Sequence, residues 1–155
     1  MSDRAKRRAL KRLQEIYASL PEVHCKRLCQ QFCGPVTWTA IEQINIGETR
    51  QIKNWARPQC PYLEEGMCSI YERRPLICRL WGAMQILACP HGCLPDRWIS
   101  QEEANRLQDE VAGLWKSITN MKFPYACFGR NKVSAEDARI AVRSGFVFGG
   151  KLPGH

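Results

Sequence analysis

The sequence predicts a mainly α fold, a small single domain whose helices surround a cysteine-rich loop region ordered by metal. Three observations carry this expectation. Apolar residues recur at helical spacing in the first twenty residues and again after Ser100. Thr39-Ala-Ile-Glu42, Ser100-Gln-Glu-Glu103 and Ser134-Ala-Glu-Asp137 have the form of helix-opening boxes. Between the helical stretches, eight of the nine cysteines fall in two compact blocks: Cys25, Cys29 and Cys33, then Cys60, Cys68, Cys78, Cys89 and Cys93. At 155 residues, 45% apolar and 25% charged, the chain has the size and composition to bury one core.

Residues 1–22 read as a basic amphipathic helix. Leu10, Leu13, Tyr17 and Leu20 form its stripe, and Arg4, Lys6, Arg7, Arg8, Lys11 and Arg12 surround it. Pro21 ends it. Residues 23–98 form the cysteine-cluster region. Its first block closes at Gly34-Pro35, and a short helix runs from the Thr39 box to Gly47. From Arg50 to Glu72 turn residues occur without strand alternation, and from Arg50 to Pro95 periodic apolar residues are few, so metal is expected to supply the order. Arg74-Pro75 marks the start of a helix through LICRLWGAMQIL, and Cys89-Pro-His-Gly-Cys93 is a turn. Residues 99–145 read as C-terminal helices packed on this region. The first has Leu107, Val111, Leu114, Trp115 and Ile118 on its apolar side, and the second runs from Ser134 to Gly145. Residues 146–155 read as a flexible, glycine-rich tail. No internal repeat and no domain linker is visible.

No apolar run approaches the roughly 20 residues of a membrane span, and the basic N-terminus lacks the apolar stretch of a secretory signal. A cytoplasmic protein without a membrane association is the expectation. In a reducing compartment, dense cysteine reads as metal binding or redox chemistry. The alternative, structural disulfides, has only the even number of clustered cysteines behind it.

Spacing narrows the metal. Zinc sites use four tetrahedral ligands, usually from CxxC turns, and this chain has no CxxC. Its close spacings are Cys-x3-Cys: Cys25 to Cys29, Cys29 to Cys33, and Cys89 to Cys93. Iron–sulfur clusters accept more varied spacing, which favours a [4Fe–4S] cluster over zinc. In one regular helix Cys25 and Cys33 would stand ~12 Å apart along the axis, too far for a single zinc. Either that helix is interrupted or the two cysteines serve different sites. Eight thiolates also divide arithmetically into two sets of four.

The run Cys60-Pro-Tyr-Leu-Glu-Glu-Gly-Met-Cys68-Ser-Ile-Tyr71-Glu-Arg-Arg74-Pro75-Leu-Ile-Cys78-Arg79-Leu-Trp81 resembles the signature of the YkgJ-like cysteine-cluster family, also described as the CxxCxxCC zinc- or iron-chelating domain. The resemblance covers about Cys25 to Cys93. The first block, CKRLCQQFC, lacks the adjacent cysteine pair of the family name. The resemblance implies metal or cluster binding by the eight clustered cysteines. A similar cysteine pattern occurs in flagellin lysine methylases, but only the cysteines carry over, not that activity.

Within the signature, Gly66 is expected to take a positive φ before Cys68. Tyr71 and Trp81 read as core or as a shield over the site. Arg74 and Arg79 read as donors to thiolate sulfur or as surface ion pairs. His24 and His91 adjoin cysteines and are expected outside the ligand set. Cys127, in FPYACF, reads as a small buried apolar residue.

The net charge of +8 is uneven, since residues 1–16 carry six basic and two acidic groups. An acidic partner, nucleic acid or protein, would meet Arg4, Arg7, Arg8, Lys11 and Arg12, and a solvated helix face is the bland alternative. Three functions follow: a non-catalytic metal- or cluster-binding regulatory module, a nucleic-acid or transcription-associated regulator, and a redox or transferase enzyme beside a cluster. No glycine-rich nucleotide loop, hydrolase nucleophile motif or paired carboxylates support the enzyme, and no small-molecule substrate is identifiable.

Overall fold

The computed structural model describes residues 3–34, 36, 38–50, 53, 59–116 and 125–126. The expected helix from Ser134 to Gly145, the tail, Ile118, the Trp115 side chain and Cys127 lie outside the described residues.

Helix α1 (Asp3–Ala18) buries Ala9, Leu13, Ile16 and Tyr17, with Leu10 and Leu20 packed partly against the same core. The apolar spacing thus places a helix face inward, as expected, with Ala9 and Ile16 widening the stripe. Arg4, Arg7, Arg8, Lys11 and Arg12 are exposed on the other side. Ser19 stops the helix by bonding the Ile16 carbonyl through its hydroxyl at 2.7 Å.

Helix α2 (Ala40–Ile46) opens with a complete capping box between Thr39 and Glu42 and closes at Gly47, which takes the left-handed conformation. Helix α4 (Gln101–Lys116) begins at Ser100, whose hydroxyl accepts from the Glu103 N–H at 3.1 Å. The Glu103 carboxylate takes a bidentate bond from Arg97 at 2.9 and 2.7 Å. Helices α1, α2 and α4 pack together over a core that includes Leu13, Ile16, Ile41, Leu107 and Val111. Each fully buried Leu, Ile or Val contributes about 1.5–3 kcal/mol.

Two expectations about the middle of the chain are corrected. Helix α3 covers only Leu76–Leu80, because Trp81 takes extended angles and Gly82 has φ 82°. A Cβ on Gly82 would lie 3.1 Å from Val23 Cγ1, so the chain turns where it meets the first cysteine block. After the turn, Ala83, Met84 and Leu87 join Leu76 and Leu80 in the main core. The segment up to Pro95 therefore has apolar anchoring of its own, without helical periodicity.

The region from Arg50 to Glu72 also contains strands. β2 (Leu63–Glu64) pairs antiparallel with β3 (Met67–Cys68) in the register Leu63 to Cys68. Glu65 and Gly66 both have positive φ, 49° and 79°, as a two-residue hairpin turn with right-handed strands requires. A second short ladder joins β1 (Trp38–Thr39) to β4 (Tyr125–Ala126). Between them sits a smaller core of Trp38, Ile46, Tyr62 and Ile70, against which Cys60 and Cys68 pack.

Glu42 ties the helices together. It is 3% exposed and accepts four hydrogen bonds: Tyr17 Oη at 2.9 Å, Leu76 N at 2.7 Å, Thr39 N at 2.8 Å and Thr39 Oγ1 at 2.9 Å. One carboxylate thus serves α1, its own helix cap and the start of α3. Each buried donor left without an acceptor costs about 1–3 kcal/mol. Glu42→Ala should therefore lower the unfolding free energy in urea by about 2–4 kcal/mol, and Tyr17→Phe by about 1 kcal/mol. Equal, small losses for both variants would contradict the hub.

Candidate metal centre

The two cysteine blocks are laid side by side by backbone pairing. Val23 forms a bridge with Pro95, Asp96 N–H donates to the Glu22 carbonyl at 2.9 Å, and His24 N–H donates to the Leu94 carbonyl at 3.4 Å. This brings Cys25 beside Cys93, whose Sγ accepts from the Lys26 N–H at 3.3 Å. No continuous helix runs from Cys25 to Cys33. Arg27 takes a positive φ of 56°, and only a 3-10 turn, Gln30–Phe32, separates Cys29 from Cys33. Of the two alternatives posed by spacing, the helix is interrupted.

The second block reaches the first through the Cys60 N–H, which donates to the Cys33 carbonyl at 2.9 Å. The β2–β3 hairpin carries Cys68, α3 carries Cys78, and the turn closed by Gly92 N–H on the Cys89 carbonyl carries Cys89 and Cys93. All eight are free thiols, and no disulfide joins them. Cys25, Cys29, Cys33, Cys60, Cys68, Cys78 and Cys89 line one cavity of about 160 Å³. Cys93 is buried beside it. Val23, Phe32, Val36, Ile77, Trp81 and Leu87 give the wall its apolar part, Tyr71 and Arg74 also line it, and the Phe32 and Trp81 rings lie 5.9 Å apart. Among the described residues, no three His, Cys, Asp or Glu are arranged to hold a metal ion. The thiols surround a volume and do not converge on a point.

The electrostatic neighbourhoods divide the thiols. Burial and then Cys60, Cys29, Cys68 and Cys25 push Cys33 up to about 11. Cys78 is raised well above its ordinary value by burial, then by Cys60, Cys68 and Cys33. Burial likewise raises Cys60, with Cys68 adding to it. Cys29 is raised by burial, then by Cys25 and Cys89. Cys60 and Cys68 thus act on Cys33 and Cys78, Cys29 feels Cys25 and Cys89, and Cys33, which also feels Cys29 and Cys25, joins the two groups. Cys89 stands apart in direction. Slight burial pushes it up, but hydrogen bonds from the Cys93 and His91 backbone and from the Cys93 side chain bring it below the ordinary value.

The donor set fits a thiolate-bound metal or cluster, soft sulfur ligands in an apolar wall. Trp81 adds a second sign, since its buried Nε1 has no hydrogen-bond partner, and an N–H donor at such a wall suits a sulfur acceptor. Trp81 and Tyr71 are half-buried and both line the cavity. His24 is exposed and pairs with Asp96 at 2.9 Å, away from the thiols. His91 is absent from the cavity wall, and its buried Nε2 has no partner. Arg74 lines the thiol cavity and its charge acts on Cys78, but among the described residues neither Arg74 nor Arg79 bonds a sulfur or forms an ion pair. Their side-chain hydrogen bonds go to backbone carbonyls: Arg74 to Tyr71, and Arg79 to Arg74 and Glu72. The apolar wall residues Val23, Phe32, Val36 and Ile77 were not foreseen, although all flank cysteines or lie within the signature.

A family model described as "CxxCxxCC: Putative zinc- or iron-chelating domain" matches residues 24–109, more than half of the chain. No curated protein and no solved structure matches it. No helix among the described residues is long and apolar enough to cross a membrane.

Thiolate is the reactive form of cysteine, so the shifts predict a labelling order. In reduced, metal-free protein at about pH 8, iodoacetamide should modify Cys89 first and Cys33 and Cys78 last. Cys33 should enter as the pH rises toward about 11. Mass spectrometry of the modified sites checks this, and Cys78 labelling as fast as Cys89 would contradict it.

Proposed function

The chain belongs to the CxxCxxCC family, and on that premise we propose that it is a non-catalytic module binding a [4Fe–4S] cluster through cysteine thiolates. The observation that carries this is the single apolar cavity lined by seven free thiols. The set Cys33, Cys60, Cys68 and Cys78 holds the cluster, and Cys25, Cys29, Cys89 and Cys93 form a second four-thiolate set next to it. Two features support a cluster over a single zinc: the absence of CxxC turns, and thiols spread around a volume larger than one ion with Zn–S of about 2.3 Å needs. A reducing, cytoplasmic location belongs to the same reading, because thiolates there serve metal and not disulfides. A bound cluster would supply a positively charged iron–sulfur core that offsets the thiolates, and the order that joins the two blocks.

Anaerobic purification with iron, sulfide and zinc analysis tests the proposal. The expected result is a coloured, oxygen-sensitive protein with iron and sulfide in equal amounts. Cys60→Ser, Cys68→Ser and Cys78→Ser should each lose most of the iron. A colourless protein with stoichiometric zinc, or full iron in all three variants, would overturn it.

A second reading concerns an acidic partner, nucleic acid or protein, on α1. It is favoured by four exposed side chains, Arg4, Arg7, Arg8 and Lys11, none of which forms an ion pair among the described residues. Arg12 is drawn to Glu110 at 2.6 Å and Glu15 at 3.1 Å and is set aside for α1–α4 packing. Changing the four to Gln should reduce binding to a mixed-sequence DNA and flatten its salt dependence, with metal content unchanged. Unaltered binding would remove nucleic acid as the partner.

A further inference from the structure

A second and larger cavity, about 470 Å³, adjoins the thiol cavity. It lies between the end of α1, the segment 20–27 and the residues that lead into α3, and it shares Val23, Cys25, Tyr71 and Arg74 with the thiol cavity. Its character is different. Three arginines line it: Arg27, Arg74 and Arg79.

Their guanidinium groups are held in place by aromatic rings. Arg27 and Arg74 lie over the Tyr71 ring, 4.2 and 3.7 Å from its centroid, and Arg79 lies over Tyr17 at 4.1 Å. A guanidinium carries five N–H donors. Arg79 uses Nε and Nη2 on the carbonyls of Arg74 and Glu72, and Arg74 uses Nη1 on the Tyr71 carbonyl at 2.8 Å. No side-chain hydrogen bond of Arg27 occurs among the described residues. None of the three arginines forms an ion pair there, nor do the two carboxylates on the wall, Glu22 and Glu72.

Three guanidinium groups and two carboxylates, Glu22 and Glu72, line the one concavity, so positive charge is in excess on its wall. Guanidinium forks resting on aromatic rings keep in-plane donors available for bidentate bonds to carboxylate or phosphate. The volume falls in the range of small-molecule sites, about 300–1,000 Å³. A concave site of this size favours a small molecule over the backbone of a nucleic acid. We propose that this cavity binds a small anionic molecule, through a carboxylate or phosphate group, by Arg27, Arg74 and Arg79. The bound anion would sit beside Cys25, at the wall the two cavities share. The proposal goes beyond the metal reading and stands without it, because the recognising groups are arginines and tyrosines.

Isothermal titration of the full chain, as purified and at low ionic strength, tests it with inorganic phosphate and with succinate. At least one should bind at a single saturable site, and which of them binds separates a phosphate from a carboxylate ligand. Arg27→Gln should weaken that binding by about tenfold or more, as expected for loss of a charge-assisted contact. Arg74→Lys keeps the charge but loses the fork, and it should weaken binding as well. Arg106→Gln removes the same charge from the exposed side of α4, outside the cavity wall, and should leave binding within about twofold. Thermal unfolding of each variant checks that the fold is intact, and Arg74→Lys serves where Arg27→Gln unfolds. No saturation by either anion below about 10 mM, weaker than the millimolar affinities expected of such a site, would overturn the proposal. So would an Arg106→Gln loss equal to that of Arg27→Gln.

Discussion

Seven thiols share one apolar cavity, and the rest of the structure is arranged around that constraint. Sulfurs packed this closely cannot all ionise, because burial and mutual repulsion both oppose the thiolate. Cys33 and Cys78 show the cost, each held above its ordinary pKa mainly by burial. A cation or cluster reverses the balance, since it requires thiolates and supplies the opposing charge. The loops that carry these residues are short of regular structure. Between Cys25 and Cys33 the only regular element is a 3-10 turn, and a hairpin of two-residue strands carries Cys68.

The helical scaffold holds this arrangement from outside. Glu42 receives the Leu76 N–H at the start of α3, two residues before Cys78, and receives Tyr17 from α1 through its other contact on the same oxygen. The position of Cys78 is therefore linked to the packing of α1 on α2. On the opposite side, the smaller core of Trp38, Ile46, Tyr62 and Ile70 supports Cys60 and Cys68. Two apolar clusters thus flank one sulfur-lined space. Neither needs the metal for its own burial.

Local features were legible in the sequence where the physics is local. The α1 stripe, the Thr39 box ended by Gly47, the start of α4 at Ser100 and the positive φ of Gly66 all depend on neighbours within a few residues. The grouping of the cysteines was legible because spacing alone separates them from the rest of the chain. What escaped depends on distant partners. Soon after the early end of α3, Gly82 meets Val23, and Arg79 rests on the Tyr17 ring, both contacts that only folding makes. Strands of two residues are too short to alternate. The apolar anchoring of Leu76 to Leu87 was hidden for a related reason, since a helix broken after five residues has no period to read.

The central claim is that a bound metal or cluster orders the first cysteine block, residues 25–34, none of which belongs to either apolar core. Hydrogen exchange on the anaerobic holoprotein and on the metal-stripped protein tests it most directly. The account predicts loss of protection across residues 25–34 on stripping, with the amides of Tyr62 and Ile70 in the smaller core and of Leu80, Met84 and Leu87 in the main core little changed. Equal protection of that block in both forms would contradict it.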